Sequence, residues 1–148
     1  MGAANSSWKN VFFVDSCPEI GDTTKGSSYA FSEGWGSEAL KAGSHAENSS
    51  YAYGIFAHAE GMNAESNGYG THAEGGNTMA KDYYSHAEGE YTEAVGRSAH
   101  AEGNQTHSTA RASHAEGELT EATGMRAHAE GFDTDATAMA SHSEGRKT

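Results

Sequence analysis

The chain has 148 residues, a formal net charge of −12 and a pI near 5.0, a balance that argues against nucleic acid and anionic membrane surfaces as partners. Leu, Ile, Val and Phe together number twelve, about 8 % of the chain. That is too few for a conventional globular core, and with this charge it normally signals disorder. The single cysteine, Cys17, excludes an intrachain disulfide and speaks against a cysteine metal site.

Residues 1–22 stand apart from the rest and read as an N-terminal cap or junction segment. Their start, MGAANS, fits the myristoylation pattern M-G-x-x-x-S. Sequons occur at Asn5, Asn48 and Asn104, as chance allows in a chain so rich in Ser and Thr. The longest apolar run, Val11 to Val14, is far too short for a membrane span or a signal peptide, so neither membrane insertion nor secretion by a signal of its own is expected. The stretch WKNVFFVD, with Trp8, Val11, Phe12, Phe13 and Val14, is the only concentrated apolar piece. It reads as a cap over the open end of a repeat array, with strand addition to a neighbour as the alternative.

From residue 23 onward the chain is a repeat. His58, His72, His86, His100, His114, His128 and His142 are spaced by 14, and His45 precedes His58 by 13. Phe31 occupies the histidine slot in FSEG. Two places after each comes glutamate: Glu33, Glu47, Glu60, Glu74, Glu88, Glu102, Glu116, Glu130 and Glu144. Glycine follows at once, except at Asn48. Between these lies a second element, TEAVG at 92–96 and TEATG at 120–124, with looser versions at 37–41, 78–82, 106–110 and 134–138. The unit is [AST]-H-A-E-G-x-x-T-x-A-x-G-x-x, and it leaves no room for a second domain.

Two heptads do not explain the period, because no apolar a/d rhythm exists and the glycines weaken a helix. A period of two fits. Ser85, Ala99, Ser113, Ala127 and Ser141 precede the histidines, Ala87, Ala101, Ala115, Ala129 and Ser143 follow them, and all are small. The second element also places small residues two apart, as at Thr92 and Ala94. Each unit therefore predicts strand, turn, strand, turn, with Gly89, Gly103, Gly117 and Gly131 at the corners. Stacked coils filled by Ala, Ser, Thr and Gly give a parallel, all-β solenoid over 23–148, in which His and Glu stand outward, rung over rung.

These units resemble the head repeat of trimeric autotransporter adhesins (YadA-type), S-V-A-I-G-x-x-S-x-A-x-G, over about residues 23–145. The HAEG variant is similar to repeats in tail-fibre or appendage proteins of phages and prophages of Gram-positive bacteria. The resemblance implies a left-handed parallel β-roll, three chains about one axis, and a non-enzymatic surface structure. In the family the Val and Ile slots face the trimer core, and here those slots hold His and Glu. The family's stalk and anchor are not expected in this chain, and the self-cleaving C-terminal domain that often follows the variant repeats is expected to be absent or removed.

Three readings of the His–Glu rungs compete. Catalysis is least supported: H-x-E without P-C-x-x-C is no zinc deaminase, H-E-x-x-H and G-x-S-x-G are missing, and an active site is normally singular. A solvated face should drift in sequence, as the slots at Tyr91, Gln105, Leu119 and Asp133 and at Arg97, Arg111, Met125 and Met139 do. The His and Glu slots do not drift. The favoured reading is an assembly seam in which His45, Glu47, His58, Glu60, His72, Glu74, His86, Glu88, His100, Glu102, His114, Glu116, His128, Glu130, His142 and Glu144 form the trimer-interface ladder. An axial ion stays open as a subsidiary reading, since His and carboxylate ligands suit zinc or nickel; no cofactor is otherwise expected.

Trp35, Tyr51, Tyr53, Phe56, Tyr69, Tyr83, Tyr84, Tyr91 and Phe132 fall in variable slots. They are expected to pack in rows, with carbohydrate binding beside Asn and Gln as the alternative. The expected protein is a homotrimeric fibre or head module on a virion or cell surface, attaching to a surface receptor or carbohydrate. The alternative is a subunit of a self-assembling extracellular filament joined through its N-terminal segment.

Overall fold

The computed structural model describes residues 29–148. The candidate cap residues Trp8, Val11, Phe12, Phe13 and Val14, and with them the whole segment 1–22, lie outside the described residues. Within 29–148 the chain is a parallel β-solenoid with two strands per coil. One series is β1 (Phe31–Glu33), β3 (His45–Glu47), β5 (His58–Met62), β7 (His72–Gly76), β9 (His86–Glu90), β11 (His100–Asn104), β13 (His114–Glu118), β15 (His128–Phe132) and β17 (His142–Arg146). The other is made of two-residue strands: β2 (Glu38–Ala39), β4 (Tyr51–Ala52), β6 (Glu65–Ser66), β8 (Met79–Ala80), β10 (Glu93–Ala94), β12 (His107–Ser108), β14 (Glu121–Ala122) and β16 (Asp135–Ala136). Odd strands stack in one nine-stranded sheet and even strands in one eight-stranded sheet, each in chain order. Among the described residues no helix is long and apolar enough to cross a membrane.

The register repeats the sequence period. His86 pairs with His100, Ala87 with Ala101 and Glu88 with Glu102. Phe31 sits against His45 in the first histidine slot. The 13-residue spacing is absorbed in the turn after β3, where Asn48 and Ser49 both take left-handed conformations and the strand ends early. His45 therefore still lies opposite His58.

The interior is narrow and filled by small side chains, as the alternation predicts. Ser85 and Ala87 flank His86 at 1 % and 0 % exposure, and Thr92 and Ala94 close the coil from the opposite sheet. A buried methyl contributes about 0.8 kcal/mol, and a backbone hydrogen bond between coils nets about 0.5–1.5 kcal/mol. With so little apolar volume available, the inter-coil bonds carry at least as much of the fold as the core does. They run on through the turns as well: Glu93 N–H donates to Thr106 O at 2.9 Å and Tyr91 N–H to Gly76 O at 2.9 Å.

Those turns differ from the sequence expectation. Gly89, Gly103, Gly117 and Gly131 do have positive φ, between +111° and +116°, but they bend the long strand instead of marking its end. The coil's two corners use other left-handed residues. One series is Tyr91, Gln105, Leu119 and Asp133, and the other is Tyr84, Ser98, Ala112 and Arg126. A non-glycine left-handed residue costs about 1–2 kcal/mol. It is tolerated here because each donates its N–H to the preceding coil, as Ala112 does to Arg97 O and Arg126 to Arg111 O.

The buried hydroxyls are unevenly satisfied. Ser66 donates to Thr71 at 2.7 Å, and Ser108 and Ser113 lie 2.6 Å apart, whereas Thr78, Thr92, Thr106 and Thr120 Oγ1 have no partner. A buried unpaired hydroxyl costs about 1–3 kcal/mol, and a methyl of the same shape does not. Thr92→Val and Thr106→Val are each expected to raise stability by about 1 kcal/mol in denaturant unfolding. A loss of that size would show that the hydroxyl does useful bonding.

Candidate functional site

The odd strands place histidine first and glutamate third, so both project from the outer face of the nine-stranded sheet while the alanine between them is buried. The parallel register then lines identical side chains up one above another. From His45 to His142, eight imidazoles stack with ring centroids 4.7–4.9 Å apart and planes within 3–8° of parallel. Phe31 closes the stack, 5.0 Å from His45 and tilted by 53°. The structure places all sixteen predicted ladder residues in one row, His45 through Glu144. His142 and Glu144 stand in the same row on the last coil, more exposed.

The electrostatics of this row are unbalanced. In the rungs from His72 to His128 each Nε2 lies 3.8–3.9 Å from the glutamate two residues on. That is within ion-pair range but too long for a hydrogen bond. His45 comes within 3.1 Å of Glu47 Oε1 without hydrogen-bond alignment, and His58 approaches the same carboxylate at 3.9 Å. The histidine side chains remain about one-third exposed, yet the Nε2 atoms of His45, His58, His72, His86, His100, His114 and His128 are shielded from solvent and have no hydrogen-bond partner. Burial, followed by the charge of the stacked neighbours, holds His58, His86 and His114 below the ordinary imidazole pKa, and the nearby glutamates oppose this only in part. Among the described residues no Lys or Arg pairs with a ladder carboxylate. The two lysine ion pairs, Lys81–Glu93 and Lys147–Asp133, lie elsewhere.

Chemically this row can bind protons, cations or a complementary polar surface, and from His72 to His128 it offers the same pair at each level. It offers no distinct nucleophile, base and orienting group in one place.

The opposite side holds a feature that sequence reasoning missed. A groove of about 710 Å³ is lined by Asn77, Tyr91, Glu93, Gln105, His107, Leu119, Glu121, Asp133 and Asp135. These are variable slots from successive coils: the left-handed corner residues and the outward residues of the even strands. The signal was available once the period was known, because residues 14 apart become neighbours. The aromatics divide by position. Phe56, Tyr69, Tyr83 and Tyr84 pack along one corner, with Tyr69 edge-on to Phe56 and to Tyr84 at 5.6 Å, whereas Tyr91 belongs to the groove.

No protein-family model matches this chain, and no curated protein matches it either.

Proposed function

We propose that this chain is a structural, non-enzymatic module of a phage tail fibre or bacterial surface adhesin, acting as a homotrimer at a virion or cell surface. Three left-handed β-rolls would stand about one axis with their nine-stranded sheets inward. The observation that carries the reading is the row of seven imidazole nitrogens shielded from water without partners. Each such group costs about 1–3 kcal/mol, a cost that grows with every coil unless the rings turn outward and another surface supplies the missing bonds. Two further copies of the same ladder would supply them. The resemblance of the HAEG units to YadA-type head repeats supports the same arrangement.

The test is the mass in solution at neutral pH, expected at three times the 15.5 kDa chain. A chain that stays monomeric in light scattering removes the seam. Electron microscopy is expected to show separate short rods of roughly 40 Å, from a coil spacing of about 4.8 Å; long polymers would favour the filament subunit instead.

The groove supports a carbohydrate as the outer partner. It combines Tyr91, a face on which a sugar ring can stack, with the amides of Asn77 and Gln105 and the carboxylates of Glu93 and Glu121 as hydrogen-bond partners for hydroxyls.

A further inference from the structure

Among the described residues, five His–Glu–His groups bring three metal-ligand atoms within 4.8 Å of one another; His86, Glu88 and His100 form one and His100, Glu102 and His114 the next. A single chain cannot close such a site. Adjacent imidazoles are parallel and one rung apart, 4.7 Å between centroids. Their matching nitrogens are therefore separated by more than the roughly 4.2 Å that two metal–nitrogen bonds of about 2.0–2.1 Å can span. Their lone pairs also run side by side and do not converge. The His100 Nε2–Glu102 Oε2 separation of 3.8 Å does fall within that span. At His45 and from His72 to His128, one level of one chain thus offers an ion two ligands, one nitrogen and one oxygen, where zinc takes four or more.

We propose that each level of the ladder is one third of a metal site, in which one His–Glu pair from each of three chains gathers a divalent transition-metal ion of the zinc class on the assembly axis. The inference rests on the trimer reading above. The donor set selects the class of ion: with half the ligands imidazole nitrogen, zinc, nickel or cobalt is preferred over calcium or magnesium. The charge also fits. Glu74, Glu88, Glu102, Glu116 and Glu130 are stacked in register with no lysine or arginine against them, so three chains place three carboxylates at a level, and a divalent ion offsets two of those charges. The Nε2 atoms hold no hydrogen bond that metal binding would break, and a turn of each ring would bring a nitrogen out to the axis. Two dications one rung apart repel about four times as strongly as unit charges, so alternate levels should fill, roughly four ions in a trimer, at His45, His72, His100 and His128 for example.

The test uses the full chain, stripped with chelator, loaded with zinc chloride and separated from free metal by gel filtration. Zinc is measured by atomic emission and mass by sedimentation on the same sample. The expected result is a trimer holding about four zinc ions, with X-ray absorption showing imidazole nitrogen at about 2.0–2.1 Å. The variant with His72→Gln, His100→Gln, His86→Gln and His114→Gln is expected to keep about half the metal. A trimer without retained zinc, or with zinc held by oxygen alone, overturns the metal site and leaves the trimer standing. A monomer that retains zinc overturns the threefold site as well. A chain that is monomeric with and without zinc removes both. The absorption measurement uses the unaltered chain, so it decides the matter even if the variant does not fold.

Discussion

Gly75→Ala is expected to destabilise the solenoid by about 2–5 kcal/mol, while Gly76→Ala, one residue on in the same strand, leaves stability unchanged or slightly raised. Gly75 has φ of +109°, and a Cβ there would fall inside the carbonyl oxygen of Gly89 on the next coil, 3.0 Å from its carbon. Gly61, Gly89, Gly103, Gly117 and Gly131 are in the same position against the coil that follows each of them. The methyl therefore meets backbone that no rotamer can move, and relieving it means opening the rung. Left-handed strain of about 1–2 kcal/mol adds to overpacking of about 1–3 kcal/mol. Because each coil is held by its neighbours, one opened rung weakens the units on both sides. A Cβ on Gly76 meets nothing closer than Glu90 Cγ at 3.8 Å, and the slot holds glutamate or asparagine in the next two coils. Urea unfolding followed by circular dichroism compares the pair directly. Equal midpoints for Gly75→Ala and the parent chain would mean that the coils are spaced differently from those described.

That contrast also separates what the sequence discloses from what it hides. The obligatory glycine is legible because it never varies across the HAEG units, and Gly76 is legible as dispensable because its slot does. The inward Ser85 and Ala87 and the outward His86 and Glu88 follow from alternation alone, and the structure bears them out. Phe31 could be placed in the histidine row by spacing, and it does pack against His45, tilted across the end of the row. The corners were not legible. Tyr84, Ala112 and Arg126 have no intrinsic leaning toward left-handed backbone, and they adopt it because the coil before them accepts their N–H, a tertiary cause invisible within any one unit. Asn63, Asn77 and Asp133 do carry such a leaning, yet they are three members of a row that the other coils fill with tyrosine, glutamine, leucine and lysine. The groove stayed hidden for a related reason: its residues look like drift when read along the chain and become a surface only when read across it.

Lowering the pH is expected to unfold the metal-free chain well before its carboxylates are neutralised. The groups that decide this are His58, His86 and His114, together with what faces them. For His86 these are His72 and His100 above and below, and Glu88 and Glu74 beside it. Burial and the neighbouring imidazoles hold these histidines below the ordinary value of about 6.5. An unfolded chain then takes up protons near that value which the folded chain resists. Stability is therefore fully present above about pH 6.5 and is lost as the pH falls below it. The geometry makes the loss cooperative along the ladder. Two charged imidazoles 4.7 Å apart repel by about 1 kcal/mol in water and up to about 4 kcal/mol at a protein surface, and the one-third exposure of these rings puts the value toward the lower end. A proton taken up by His58, His86 or His114 therefore puts strain on the rungs either side of it. Melting temperature in chelator should be flat from pH 8 to about 7 and fall once the pH drops below about 6.5. His86→Gln with His114→Gln removes two of the depressed groups and should flatten that fall. An unchanged profile in the double variant would place the acid sensitivity outside the ladder. High salt should soften the fall in the parent chain, because screening acts on the repulsion between rungs and leaves burial of the rings untouched.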